Sequence, residues 1–418
     1  MTTTSIKPIL AKERYKLLDV IRGISLLGVL IGNMATLSGY AFLSEVDKIA
    51  FTTYKTDHLV STIQLALVNG KFYSLFSMLF GIGFGLQLRR SLATMTNFNA
   101  LFRRRLVILL FLGLIHAIFL YPGDILTLYA ILGFVLMLFR NGSDKFLLKS
   151  VLLLMLLPVI QYAIMWGINI ASPAAPKPVG PRMLDQVLIT FRTGTYLEIL
   201  KINAGGLIFG RYPDHFFTGR FFKVFAMFLI GFYVSKKGIH ADVLEYRSLL
   251  KKVLIWGAII GIPCNLILAT VVTAEDYKQL RLLGIIQPLA YSYGVPALAL
   301  FYAAALALLY QKSHWRKLLS LFAPVGQMAL TNYLLQSFIC VFIFKSYGFA
   351  LEGQVGPTKL LLIALAIYGA QLILSVTWIK YFRFGPTEWL WRSLTYKNWQ
   401  PFRQRTNEAT ASQHEHVS

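Results

Sequence analysis

Apolar residues in this chain come in long runs near 20 residues, separated by short polar or glycine- and proline-bearing segments. At 1.5 Å per residue a helix of that length crosses the hydrocarbon core of a bilayer, so each run is read as a membrane span. Ten are expected, at about 20–42, 70–88, 104–121, 124–140, 146–171, 219–235, 252–273, 284–310, 325–346 and 359–380. With the N-terminus in the cytosol, the inner segments collect Arg89, Arg90, Arg103, Arg104, Arg105, Arg140, Lys236, Lys237, Lys312 and Arg316, which agrees with the positive-inside bias. The even number puts both termini inside. The expected fold is an all-α, polytopic helical bundle.

Two connections on the outer side are long, Phe42 to Asn69 and Ser172 to Thr218. The second opens with the proline-rich Ser172–Pro181, expected to be extended, and continues through Met183–Leu207, which suits a surface helix. Loops of that length usually have a use, such as a lid or an acceptor site. The chain then divides into an N-terminal membrane half (1–171), a long extracytoplasmic loop (172–218), a C-terminal membrane half (219–396) and a polar, disordered cytosolic tail (397–418). Gly385–Tyr396 reads as a short amphipathic helix at the inner interface, and no internal repeat is visible.

Composition agrees with the pattern. A chain that is 56% hydrophobic and 14% charged is excluded from the soluble globular class, whose charged share is nearer a quarter. The net charge of +23 is read as membrane topology before nucleic-acid binding. Cys264 and Cys340 both lie in apolar runs, so neither a disulfide framework nor a metal cluster is expected. Lys7, Lys12, Arg14 and Lys16 precede a span-length run with no small-residue cleavage site, so the first span is expected to be retained. There is no nucleophile elbow, His-Glu zinc motif, Walker loop or Rossmann fingerprint.

The chemistry concentrates in Gly113–Gly133. Pro122-Gly123 forces a reversal, so His116 lies roughly 9 Å below the turn on the outgoing helix and Asp124 opens the returning one. An ionisable pair at lipid depth must find partners or neutralise, which makes it a candidate site. His116 is a candidate general base with Asp124 fixing its tautomer. The structural alternatives are a histidine bonded to a serine, an asparagine or a carbonyl on another span, and an aspartate that caps a helix.

Other candidates have structural alternatives as well. Asp19 and Arg22 share a helix face, where Arg22 would contact an anionic donor group or merely anchor the span. Asn33 and Lys71 could stabilise an oxyanion, or respectively join two helices and reach the headgroups. Arg103 and Arg104 could bind coenzyme phosphates or only set topology. Asp19, Gln327, Asn332 and Gln336 are candidate substrate contacts; the last three, with Thr331, line one side of a helix, where interhelical bonding is equally expected. His58 and His215 fall in outer loops, His58 being an alternative base. The glycines of Phe80–Gly85 are read as helix packing and not as a nucleotide loop.

Leu18-Asp19 with Arg22-Gly23 and Asn33, Lys71-Phe72, His116 with Gly123–Leu126, Met328–Gln336, Gly385-Pro386 and Glu388–Arg392 together resemble the bacterial YeiB family of membrane proteins, over nearly the whole length. The opening Leu-Asp-x-x-Arg-Gly also resembles heparan-alpha-glucosaminide N-acetyltransferase and its transmembrane acyltransferase superfamily, over the N-terminal part. That resemblance implies transfer from cytosolic acyl-coenzyme A to an acceptor on the far side through a histidine. It implies a histidine in the stretch leading into the second span, where this chain has His58, whereas the residue reading favours His116 as base or acyl carrier. The expected partners are membrane lipids, the acyl donor and an outer-face acceptor, with a homodimer left open and no nucleic acid or metal. The expected location is the bacterial inner membrane. The alternative is a transporter or lipid exporter using His116 and Asp124 as proton relay or substrate contacts.

Overall fold

The computed structural model describes residues 15–172, 183–271, 277 and 279–404. The first helices are α1 (Lys16–Leu37), α2 (Glu45–Ile49), α3 (Tyr54–Leu67), α4 (Lys71–Ala93), α5 (Phe98–Phe119), α6 (Leu126–Leu138) and α7 (Asp144–Ala171). Next come α8 (Met183–Thr193), α9 (Tyr196–Gly205), a π-helical turn at Gly206–Arg211, α10 (Tyr212–Phe217), α11 (Arg220–Lys237) and α12 (Arg247–Thr270). The last are α13 (Ile286–Tyr310), α14 (Ser313–Ser320), α15 (Ala323–Gln327), α16 (Ala329–Phe344), α17 (Pro357–Tyr381) and α18 (Pro386–Tyr396).

Each of the ten apolar runs is mostly helical, the one at 325–346 being divided at Met328, and the protein is an all-α helical membrane protein. Six helical segments are long and apolar enough to cross a bilayer alone: α1, Tyr54–Ala93, α7, α12, Leu282–Tyr310 and α17. A seventh is counted if Tyr196–Phe217 and Arg220–Lys237, bent by 67°, act as one. α6 and α16 are apolar but only 13 and 16 residues long. α6 starts late because the Tyr121–Asp124 turn takes up its first residues, and α16 starts late because the chain breaks from α15 at Met328.

Glycines set the closest helix contacts. On α4 and α11, a Cβ on Gly81 would run into the Phe228 carbonyl and one on Gly231 into that of Met78. Gly81 and Gly85 of the Phe80–Gly85 run thus serve packing, as the sequence suggested, whereas a Cβ on Gly83 would meet nothing and Gly83 lines a cavity. Gly23 and Gly326 play the same part between α1 and α15, Gly326 lying against the Asp19 carbonyl.

One end of the bundle, the basic face, joins α5 to α18 through Arg104 Nη1 and the Thr395 carbonyl (2.8 Å) and α7 to α11 through Asp144 with Lys236 and Lys237. The other, the loop face, carries α2, α3 and α8–α10. There Ser346 N–H donates to the Phe191 carbonyl (2.9 Å) and Thr358 N–H to Asp57 (2.8 Å).

Two local expectations change. Met183–Leu207 is not one helix, because Thr195 starts α9 with a capping box to Glu198. The tail is ordered as far as Gln404: Arg383 N–H donates to the Phe402 carbonyl, Gln404 N–H to that of Tyr381, and Phe402 packs on Trp378, Phe382 and Trp389. The extended reading of 173–181, the disordered reading of 405–418 and the cations Lys7, Lys12 and Arg14 lie outside the described residues.

Candidate functional site: a cation-lined cavity beside a buried histidine

Two cavities adjoin inside the bundle. The one toward the basic face, about 280 Å³, has a largely aromatic and aliphatic wall into which Arg22, Arg105, Gln327, Glu388, Trp391 and Arg392 project. The one toward the loop face, about 200 Å³, is bounded by Thr36, Asn69, Tyr121 and Tyr291 among others. Val29, Asn33, Tyr73, Arg211 and Arg220 line both, so the cavities meet there.

Arg22 reaches the wall because it follows Asp19 by three residues on α1, and Asp19 Oδ1 holds its Nη1 at 2.8 Å. Asp19 itself is buried behind Arg22. Arg105 lies with its guanidinium 4.2 Å from the centre of the Trp391 ring and donates to Gln87 Oε1 (3.2 Å). Glu388 caps α16: its Oε1 accepts from the N–H groups of Leu330 (2.6 Å) and Thr331 (3.2 Å), and its Oε2 from the Thr331 hydroxyl (2.6 Å). Burial pushes its carboxyl above the usual range, while the Thr331 and Leu330 hydrogen bonds pull the other way.

At the junction, Arg211 leaves the π-helical turn and its Nη2 donates to the Gly123 carbonyl (3.0 Å). Arg220, the first residue of α11, stands over Tyr73 at 5.7 Å. Lys223, one turn on, lies 3.9 Å from the centre of the Tyr291 ring and is 4% exposed. Tyr73 and Tyr291 share a hydrogen bond of 2.9 Å.

His116 lies one layer behind this wall. Its Nδ1 is 2.8 Å from Asp124 Oδ1 and its Nε2 is 2.8 Å from the Ser337 hydroxyl of α16. His116 and Asp124 are 1% exposed and Ser337 is 3% exposed. Asp124 Oδ2 accepts the Thr127 N–H (2.7 Å), so one carboxylate both starts α6 and orients the ring. With Nδ1–H donating to the carboxylate, Nε2 is the acceptor for Ser337. Gly123, Ile125 and Tyr333, whose ring is 4.9 Å from that of His116, form the cavity wall in front.

The sequence candidates thus separate. Arg22, Asn33 and Gln327 are on the cavity wall, with Asp19 behind Arg22 and the His116–Asp124 pair behind Tyr333. Lys71 is not a wall residue and does not reach the surface. It is 1% exposed, and its Nζ donates to the carbonyls of Leu65 (2.6 Å) and Asn69 (3.0 Å), closing the end of α3. Asn332 and Gln336 face α17 instead of the cavity. Asn332 Nδ2 donates to Ser375 (2.9 Å), Gln336 Nε2 to Gln371 (2.9 Å), and Gln371 back to the Asn332 carbonyl (2.8 Å). Arg103 is exposed and Arg104 caps α18, so Arg105 is the member of that run at the cavity. His58 is exposed on α3, and His215 is buried beside Asp214 (3.8 Å).

Sequence reasoning missed Arg211, Arg220, Lys223 and Ser337. The first three had a signal: they are cations on the side where the charge bias leaves few. Ser337 directly follows the polar helix side of Gln327, Thr331, Asn332 and Gln336, but nothing local marks it as the partner of a histidine 221 residues away. Among the described residues no group of three or more His, Cys, Asp or Glu side chains could hold a metal.

Fold and cavity define a helical membrane protein with an arginine-lined interior. Residues 234–398 match the family model described as "Protein of unknown function (DUF418)". The chain is 34% identical over 416 residues to "Uncharacterized protein YxaH" of Bacillus subtilis, covering 96% of this chain and 99% of that one. It is 28% identical to "Uncharacterized protein YeiB" of Escherichia coli, covering 94% and 100%. The chain belongs to this YeiB and YxaH family.

Proposed function

We propose that the protein is a membrane acyltransferase that takes an acyl group from acyl-coenzyme A at the basic face and delivers it to an acceptor held from the loop face. The observation that carries this reading is the pair of cavities meeting at Asn33, Arg211 and Arg220, which offers one path with a donor end and an acceptor end. Arg22, Arg105 and Arg392 at the donor end suit the phosphates of a coenzyme, and the apolar wall beyond suits an acyl chain. In this reading the basic face is cytosolic and the membrane is the bacterial inner membrane.

The transfer step balances with residues at hand. An acceptor hydroxyl or amine attacks the thioester carbonyl and, once Tyr333 swings aside from the wall in front of the pair, its proton passes to Ser337, whose own proton moves to His116 Nε2. Asp124 stabilises the imidazolium, and Asn33 at the junction donates to the oxyanion. The carbon–sulfur bond breaks and the coenzyme thiolate takes the proton back by the same route. His116 acts through Ser337, because its second nitrogen is engaged there.

The test is purified protein with radiolabelled acetyl- or palmitoyl-coenzyme A and membrane-extracted acceptors, wild type beside His116→Gln and Asp124→Asn. Release of coenzyme A with label moving to an acceptor, lost in both variants while they stay folded, is the expected result. The same path would serve an exporter of anionic molecules, which moves its substrate in proteoliposomes without covalent change. Substrate movement with no transfer would replace the present reading by that one.

A further inference from the structure

Arg211 and Arg220 bring two cations to the junction of the cavities and Lys223 stands behind them against Tyr291 of the loop-face cavity wall; among the described residues none of the three forms an ion pair with a carboxylate. Asp214, the carboxylate whose charge acts on all three, is exposed and lies 3.8 Å from His215, and it pairs with none of them. Arg211 uses Nη2 on the Gly123 carbonyl, but its Nε is buried without a hydrogen-bond partner. Arg220 and Lys223 rest on the tyrosine rings of Tyr73 and Tyr291, which soften the charges without neutralising them. Two half-buried guanidinium groups on a cavity wall, backed by a buried ammonium and without a carboxylate partner, are matched to a negative ligand.

We propose that Arg211, Arg220 and Lys223 bind a phosphate group carried by the acceptor molecule. A phosphate carries more charge than a carboxylate and three acceptor oxygens, which fits two guanidinium forks and an ammonium better than a two-oxygen ligand does. Arg220 opens the 18-residue α11, so the unpaired N–H groups and positive end of that helix point to the same place. The Arg211 bond to Gly123 ties the site to the turn bearing Asp124, one residue from the partner of His116. An acceptor gripped there presents its neighbouring hydroxyl or amine toward Tyr333 and Asn33. The inference rests on the acyl-transfer reading only in calling the ligand the acceptor.

Binding is measured on the detergent-purified full chain without acyl-coenzyme A, so failure of transfer does not touch the result. One arm titrates inorganic phosphate and glycerol phosphate against chloride at equal ionic strength. The other titrates short-chain phosphatidic acid against short-chain diacylglycerol, which lacks only the phosphate. Saturable binding of the phosphate ligands, weakened at least tenfold in Arg220→Gln and in Lys223→Gln, is expected. Tighter binding of phosphatidic acid than of glycerol phosphate identifies a lipid headgroup as the source, and equal binding a soluble phosphate. Folded wild type that binds neither, or folded variants with unchanged affinity, overturns the site. If both variants fail to fold, the wild-type comparison of phosphate with chloride and of phosphatidic acid with diacylglycerol decides alone.

Discussion

Glu388 on α18 accepts the backbone N–H of Leu330 at 2.6 Å, fastening the C-terminal helix to the start of the helix that carries Tyr333 and Ser337. A carboxylate from elsewhere in the chain does here what an N-cap residue ordinarily does for its own helix. Glu388→Ala leaves two buried N–H groups and a hydroxyl without this partner, at a cost of about 2 kcal/mol or more. Glu388→Gln keeps an acceptor in place and loses less. Burial holds the Glu388 carboxyl above its usual 4.5, so its contribution is complete below pH 4.5 and is lost as pH rises through the raised value. Thermal midpoints of wild type and Glu388→Gln across acid to neutral pH check this: the glutamine variant lacks that part of the slope.

Lys345 and Glu352 form a buried pair at the loop face, with Nζ 2.9 Å from Oε1. Arg192 of α8 donates to the Glu352 carbonyl (2.7 Å), so the pair fastens α8 to the loop after α16. Burial raises Glu352 from 4.5 to about 7 against the pull of Lys345, and burial lowers Lys345 below 10.5. Between pH 4.5 and about 7 the folded chain holds a proton the unfolded chain has released, so stability falls as pH rises through that window. Toward 10.5 the depressed Lys345 has the opposite sign and stability recovers. Hydrogen exchange at the Gly353 amide, which donates to the Ser38 carbonyl (2.6 Å), should be fastest relative to global opening between those windows. Lys345→Met with Glu352→Gln should remove both slopes; persistence of both in that double variant would remove the pair as their cause.

His116 and Asp124 should matter to stability to a similar degree. His116→Ala strips one partner each from Asp124 and Ser337, and Asp124→Ala strips one each from His116 and from the Thr127 N–H in the first turn of α6. Each buried group left unpaired costs about 1–3 kcal/mol, so each variant is destabilised by roughly twice that. Urea or thermal unfolding in one detergent gives both losses, and a variant as stable as wild type would mean that the bonds it lacks contribute nothing.

How far the sequence could be read follows from the range of the interactions. Apolar runs, the Pro122-Gly123 reversal and the Asp19–Arg22 spacing are local, and the helices, the turn and the ion pair all follow from them. The pairing of His116 with Asp124 was within reach because only eight residues and a turn separate them. Which polar residues face the cavity was not, because it depends on helix rotation within the bundle. Asn332 and Gln336 sit on the same helix as Tyr333 yet turn to Gln371 and Ser375, and Arg104 turns to α18 while Arg105 turns inward. A helix that buries most of its circumference offers no amphipathic pattern to tell these faces apart. The three junction cations were visible as exceptions to the charge bias, but their convergence depends on the π-helical turn at Gly206–Arg211, for which the sequence carries no simple signal.

Lys71 gives a test of that sorting. Sequence alone makes it a candidate for oxyanion stabilisation, whereas its Nζ closes the carbonyl end of α3 and it lines neither cavity. Lys71→Met removes two charge-assisted hydrogen bonds from a buried site and leaves the Leu65 and Asn69 carbonyls without that donor, costing about 2–4 kcal/mol. Because the loss is structural, folded Lys71→Met should retain the transfer rate and donor affinity of wild type within about threefold, while its thermal midpoint falls. Asn33→Ala, at the junction, should show the reverse pattern: a small change in stability and a rate loss of about tenfold or more. Paired measurement of midpoint and rate on both variants separates the two roles, and a Lys71→Met protein that is stable but inactive would return Lys71 to the mechanism.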